Sequence, residues 1–283
     1  MGDAAAEHPL VPTVVVLGAR DKSREALRRS FPRRRGRLCL VRSRADVLAA
    51  LRDGMVDAVV LDLGTGAGEA WEAASLARDF PSIPFFALAP LRPADAPAIA
   101  RGIGEFELAD ILAEGVDDVA QRELVLRSTF TTRFALALDD AAPVLGLETP
   151  LQRQVWRLVV SHGGRTVRTD EIAAAVKLTR EHLSRRFSSG GAPNLKRVID
   201  LCRLLAASEL AKNPGYDLPD VARILGFASA SHLSSSSQRV LGVRPASLVR
   251  LRPADLIERF MQQGKGRSRP GTPTARRRSP ESA

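Results

Sequence analysis

The sequence predicts two domains of different class: an α/β domain with a doubly wound parallel sheet, then an all-α domain built on a duplicated helix-turn-helix. Three observations carry this. Strand-like and helix-like runs alternate five times between Thr13 and Phe130, the pattern of a parallel sheet covered by crossover helices. A short motif is written twice, once as EIAAAVKLTREHLSRRF (171–187) and again as DVARILGFASASHLSSSS (220–237). Charge divides along the same line: residues 1–150 net −4, residues 151–251 net +9 and residues 252–283 net +5, within a total of +10. At 283 residues there is enough chain for two hydrophobic cores.

In order, VPTVVVLG (11–18) is a β-branched apolar run and reads as a buried parallel strand. SREALRRSF (23–31) follows as a helix with Ala26, Leu27 and Phe31 inward. RLCLVR (37–42) is a second strand, and SRADVLAALRDG (43–54) a helix burying Val47, Leu48 and Leu51. DAVVLDL (57–63) is a third strand, AWEAASLARDF (70–80) a helix, IPFFALAP (83–90) a fourth strand and DAPAIARGI (95–103) a helix. ADILAEG (109–115) reads as the fifth strand and VDDVAQRELVLRSTF (116–130) as the last helix. GTGAG (64–68) lacks the Lys and Ser/Thr of a phosphate loop and is expected as a flexible loop.

The order and lengths from Thr13 to Phe130, and above all DAVVLDL and IPFFAL, resemble the receiver domain of two-component response regulators, whose fold is flavodoxin-like. The resemblance implies an acidic pair after strand one, a phosphoacceptor Asp after strand three, and a Ser/Thr and a Lys ending strands four and five. Asp62 stands at the phosphoacceptor position. The acidic pair falls on Gly18-Ala19, the hydroxyl on Ala89 and the Lys on Glu114. Mg²⁺ without its carboxylates binds poorly, and without the Lys nothing in this pattern offsets a phosphoaspartate. Asp62 is therefore expected as a vestigial phosphoacceptor in a pseudo-receiver used for dimerisation or docking, with Asp21 as a substitute ligand should metal bind.

DDAAPVLGL (139–147) contains Pro and Gly and reads as a linker. Thr149-Pro150-Leu151-Gln152 is a capping box with Pro at the first helical position, and Leu151, Val155, Leu158 and Val159 form that helix's buried face. Trp156 is expected as a core residue. In the first motif copy, Ile172, Ala173 and Val176 share one helix face, Leu178 plugs the turn, Thr179 caps the next helix, and Leu183 with Phe187 gives it a buried stripe. In the second copy Val221, Ala222, Ile224 and Leu225 form the first helix, Gly226 permits the turn, Phe227 plugs it and Ser229 caps the second helix. The openings lie 49 residues apart and the closings 50, so the second copy holds one extra residue. Between them, PNLKRVIDLCRLLAASELAKNPG (193–215) reads as one long helix with Pro193 in its first turn, ended by Asn213-Pro214-Gly215.

These motifs resemble the DNA-binding domain of AraC/XylS-family transcription regulators over Thr149 to Leu251, on the I-A…L-S-R-x-F of the first unit, RLLAASEL (203–210), A-x-x-L-G-F (222–227) and LGVRPASLVR (241–250). The resemblance implies two units reading successive major-groove segments from one monomer. Carried over, the base-contact candidates of the first unit are Arg180, Glu181, Ser184 and Arg185. Arg185 leads, because Arg to guanine is the commonest specific contact. Glu181 either accepts from cytosine or pairs with Arg185 at i, i+4. The second unit departs from the pattern: Ser235, Ser237 and Gln238 replace the family's usual Arg, aromatic and basic residue, and a serine run is a mediocre helix. Ser231 and Ser235 are expected at the groove with small contributions. Lys177, Arg186, Arg239 and Arg244 are the phosphate candidates.

The expected segments are a disordered N-terminus (1–10), the receiver-like domain (11–135), a linker (136–148), the DNA-binding domain (149–252) and a basic tail (253–283). DLIERFMQQ (255–263) extends a final helix, and the remaining tail is low-complexity and disordered. There Arg276-Arg277-Arg278 is equally a non-specific phosphate contact or a solubilising element. Cys39 and Cys202 sit in apolar patterns and are expected as reduced, buried thiols. Neither a signal peptide nor a membrane-length apolar run is visible, so a cytoplasmic location is expected. His182 and His232 have no acidic or thiol partner at useful spacing, so no catalytic residue, metal or cofactor is expected. The expected partners are double-stranded DNA, a second copy through the receiver-like domain, and RNA polymerase. Two other functions remain open: a response regulator phosphorylated on Asp62, and an adaptor that has lost specific DNA binding.

Overall fold

The computed structural model describes residues 11–18, 20–65, 68–90, 92–93 and 96–265. The N-terminus expected to be disordered, Ala19, Gly66-Ala67 of the glycine-rich loop and the tail with Arg276–Arg278 lie outside the described residues. In the first half, β1 (Thr13–Leu17), α1 (Asp21–Ser30), β2 (Arg37–Val41), α2 (Arg44–Asp53), β3 (Ala58–Asp62), α3 (Gly68–Ala74), α4 (Leu76–Asp79), β4 (Phe85–Ala89), α5 (Ala96–Phe106), β5 (Asp110–Ala113) and α6 (Asp118–Ser128) alternate as the sequence predicts. All strand pairs are parallel, in the order β2-β1-β3-β4-β5, which is the flavodoxin-like doubly wound arrangement.

Each central strand buries both faces, and alternation sorts its side chains. Val14, Val16, Val60, Phe86 and Leu88 face Leu27, Phe31 and Val125 of α1 and α6. Val15, Leu17, Val59, Leu61, Phe85 and Ala87 face α2 and α3. That second face continues without a gap into the core of the helical half, through Phe80, Phe130, Phe134 and Trp156.

The helical half comprises α7 (Phe130–Ala137), α8 (Ala141–Val144), α9 (Pro150–Ser161), α10 (Thr169–Ala175), α11 (Arg180–Phe187), α12 (Leu195–Leu210), α13 (Leu218–Ile224), α14 (Ala230–Leu241), α15 (Pro245–Leu248) and α16 (Pro253–Lys265). At 16 residues, α12 is about 24 Å long and buries the apolar face read from sequence.

Several elements differ from expectation. The helix expected over 70–80 breaks at Ser75, whose hydroxyl donates to Glu72 O at 2.6 Å. The helix expected over 116–130 breaks at Thr129, which donates to Leu126 O at 2.9 Å and caps α7 by accepting from Thr132 N at 3.3 Å. Pro193 lies before α12 rather than in its first turn; Asn194 is the cap, accepting from Arg197 N at 2.9 Å. The stretch expected as a linker is packed: Leu145 and Leu147 are fully buried, and Leu138 O accepts the Trp156 indole N–H at 3.0 Å. Pro143 and Gly146 read as loop letters, yet the leucines beside them anchor the segment. The final helix expected over 255–263 does form, as α16, and it buries Leu256, Ile257 and Phe260. Cys202 is buried, and burial pushes its thiol up to about 12, whereas Cys39 is only half-buried on edge strand β2; both are free thiols.

The helical half docks on the N-terminal edge of the sheet. Asp57, fully buried before β3, accepts from Thr13 N at 2.9 Å, from the Thr131 hydroxyl and from the Arg165 guanidinium, while Arg165 also donates to Thr131 Oγ1 at 2.8 Å. Asn213 accepts from Ser82 N at 2.8 Å and donates to Leu210 O at 2.7 Å, so one amide closes α12 and holds the loop before β4. Phe80 and Tyr216 pack edge to face with ring centroids 4.7 Å apart. On α13, Asp220 and Arg223 engage α2: Arg52 reaches Asp220 at 3.5 Å and Arg223 donates to Arg52 O at 3.0 Å.

Candidate nucleic-acid interface and the degenerate acidic site

The two motif copies fold as α10-turn-α11 and α13-turn-α14. Their turns match over the first two residues: Lys177 and Gly226 both adopt positive φ, at 56° and 68°, and Leu178 and Phe227 follow them. The extra residue of the second copy is Ala228, between that plug and the cap. Thr179 accepts from His182 N at 3.3 Å and Ser229 from His232 N at 3.0 Å, so both predicted caps form. The predicted capping box at Thr149 also forms.

In α11, which packs on α10, Leu183 and Phe187 are fully buried. This fixes the outward face: Arg180, Glu181, Arg185 and Arg186 are exposed and Ser184 is half-buried. Arg180 reaches Asp170 at 3.9 Å. His182 and His232 are exposed on their helices, as expected. Lys177 and Arg244 are exposed, and Arg239 is exposed but leans on Asp200 of α12 at 3.4 Å.

The serine run of α14 divides in two. Ser231 and Ser235 face outward, and Ser235 donates back to His232 O at 3.1 Å. Ser236 and Ser237 are buried, and Ser237 donates to Val243 O at 2.8 Å. The position where the resemblance implies an aromatic plug is thus a satisfied buried hydroxyl that ties α14 to the following turn. Sequence reading missed this, because a serine carries no apolar signal.

At the opposite, C-terminal edge of the sheet lies Asp62, fully buried. Its carboxylate accepts from Arg20 N at 3.0 Å, Arg20 Nε at 3.2 Å, Arg20 Nη2 at 3.0 Å and Gly64 N at 3.1 Å. The same guanidinium also pairs with Glu114. Burial pushes the Asp62 carboxyl up, but the bonds from Arg20 and Gly64 outweigh it and hold the group below the ordinary carboxylate range. The Arg20 guanidinium thus offsets the charge of Asp62 and is shared with Glu114, which leaves the three groups with one net negative charge. Counting residues at the usual receiver positions missed it, because Arg20 stands two residues past Gly18. The available signal was a cation just after strand one, facing carboxylates at the ends of strands three and five. Asp21, expected as a substitute metal ligand for the missing acidic pair, has a side chain that is 96% exposed and turns to Arg24 at 3.4 Å.

Among the described residues no cluster of His, Cys, Asp and Glu could hold a metal ion, and no helix is long and apolar enough to cross a membrane.

Residues 172–250 match the sequence family described as a helix-turn-helix domain. No curated protein matches the chain. Among solved structures, a response regulator from Thermotoga maritima is 16% identical, covering 42% of this chain and 98% of its own, with a TM-score of 0.36. The N-terminal signal receiver domain of a two-component response regulator from Bacteroides fragilis is 18% identical over 42% of this chain and 96% of its own, TM-score 0.37. Full-length FixJ from B. japonicum is 14% identical over 80% of this chain and 96% of its own, TM-score 0.36. The parallel strand order, not these distant likenesses, defines the N-terminal fold. The chain joins a flavodoxin-like α/β domain, defined by its parallel strand order, to a helical domain that matches the helix-turn-helix family over residues 172–250.

Proposed function

We propose that the protein is a sequence-specific transcription regulator whose two helix-turn-helix units read successive major-groove segments, and whose receiver-like domain works without phosphorylation, in dimerisation or signal input. The observation that carries the DNA reading is α11: a fully buried Leu183–Phe187 stripe beneath an exposed face bearing Arg180, Glu181 and Arg185, flanked by exposed Lys177 and Arg186 for phosphate. Specificity rests mainly on this unit, because the exposed α14 positions offer only short hydroxyls, one of them already bonded to its own helix. Independence from phosphorylation is supported by Arg20, which occupies the carboxylate edge that a hydrated Mg²⁺ and an incoming phosphoryl group would need.

The test is enrichment of genomic fragments by the purified chain, followed by salt titration on the enriched site. Arg185→Ala is expected to weaken that site by roughly ten- to a hundredfold, the loss of about 1–3 kcal/mol of base discrimination. Arg186→Ala is expected to weaken all DNA alike and flatten the salt slope by about one. Equal affinity of Arg185→Ala and the parent chain for the enriched site overturns the assignment. A second reading, an adaptor acting through protein contacts, is favoured by the hydroxyl-rich α14. Absence of DNA binding at every salt concentration selects it, and labelling of Asp62 by a small phosphodonor with Mg²⁺ selects a phosphorylated regulator instead.

A further inference from the structure

Between the two halves, at the N-terminal edge of the sheet, α6, α7 and α9 and the loop before β2 enclose a cleft of about 450 Å³. This is within the roughly 300–1,000 Å³ typical of small-ligand sites, which favour domain junctions. Its wall is apolar, formed by Leu126, Ala135 and Val160. At its mouth Leu136 is 70% exposed. The rim is cationic, with Arg34, Arg35 and Arg157, all exposed. Among the described residues the only lining carboxylate, Asp139, pairs with Arg157 at 3.5 Å, so these residues bring two guanidinium groups more than carboxylates to the rim.

We propose that this cleft binds a small amphipathic anion, an apolar carboxylate, with its hydrocarbon body on the Leu126–Ala135–Val160 wall and its charge on the arginine rim. Guanidinium is the side chain best matched to a carboxylate, which it can bind with two parallel bonds. A neutral hydrocarbon of the same size forgoes those bonds, and a cation is repelled. The cleft also carries Thr131, whose hydroxyl bonds both Asp57 and Arg165 at the domain junction. A ligand here therefore touches both halves beside the contact that joins them, which makes it an input to the regulator. Binding is read on the chain alone, so its outcome is separate from that of the DNA-reading proposal.

The experiment titrates the full-length chain with the fluorescent anion anilinonaphthalene sulfonate and displaces it with decanoate, decanol or decyltrimethylammonium. Saturable binding of one probe per chain is expected, displaced by decanoate and not by the neutral or cationic compounds. Ala135→Trp, which fills the cleft, is expected to abolish it. The double change Arg34→Ala and Arg35→Ala, on exposed side chains outside the core, is expected to weaken decanoate by roughly tenfold or more, through the loss of charge-assisted bonds. It serves even if the filled cleft impairs folding. Unchanged titration in the arginine variant, displacement by decanol as strong as by decanoate, or absence of saturable binding overturns the proposal.

Discussion

Lys177 occupies a conformation that its partner in the second unit, Gly226, adopts without cost. A side chain in the left-handed region costs about 1–2 kcal/mol, and Lys177 is one of two described non-glycine residues there. Lys177→Gly is expected to raise stability by roughly 1 kcal/mol in urea denaturation. Gly226→Ala is expected to lower it by at least as much, because a Cβ there would come within 2.6 Å of Thr166 Oγ1. The strained turn places a basic side chain beside the reading helix, so Lys177→Gly is also expected to weaken DNA binding without changing sequence preference. Asp62 is the second residue with a measurable signature. Its folded value lies below the ordinary 3.8. Its contribution to stability is therefore fully present above that value and is lost as pH falls through the lower, folded one. Stability of the parent chain should drop below pH 4, and Asp62→Asn should flatten that drop in acid denaturation.

At the scale of elements, what the sequence shows is what neighbouring residues settle among themselves. The caps at Thr149, Thr179 and Ser229 are bonds over three residues, and β1 and β3 announce themselves as β-branched runs and the other strands as short apolar ones. Arg20 and Asp62 are 42 residues apart, and no local pattern joins them. The packed segment 138–147 was hidden because Pro and Gly outweigh two leucines in any reading of composition. Nor does a serine run reveal which hydroxyls are buried. Ser237→Ala should distinguish them: losing its bond leaves Val243 O unpaired in the core, at a cost of about 1–3 kcal/mol. The exposed Ser235→Ala should stay within about 0.5 kcal/mol of the parent. Both are read from the same urea midpoints, and similar losses at the two positions would refute the buried role.

One continuous core runs from one face of the sheet into the helical half, while the other face packs separately on α1 and α6, so the halves are expected to unfold together. Trp71 lies in the first half and Trp156 in the second, and these are the only two tryptophans. Trp71→Phe and Trp156→Phe chains should therefore give coincident fluorescence transitions. Asp57→Ala leaves the largely buried Arg165 without its carboxylate and is expected to cost about 3–5 kcal/mol. Two separated transitions in the parent chain would show that the junction does not couple the halves.

The keyed junction also bears on how such a chain can evolve. Domains joined by an exposed linker that few contacts cross can be exchanged for other domains with little loss. Here Asp57 with Arg165, Ser82 with Asn213 and Phe80 with Tyr216 are complementary pairs split between the halves. A recombinant that takes either half from another lineage inherits an unpaired arginine, an uncapped helix end and a bare aromatic ring. A change on one side of this junction therefore calls for a matching change on the other.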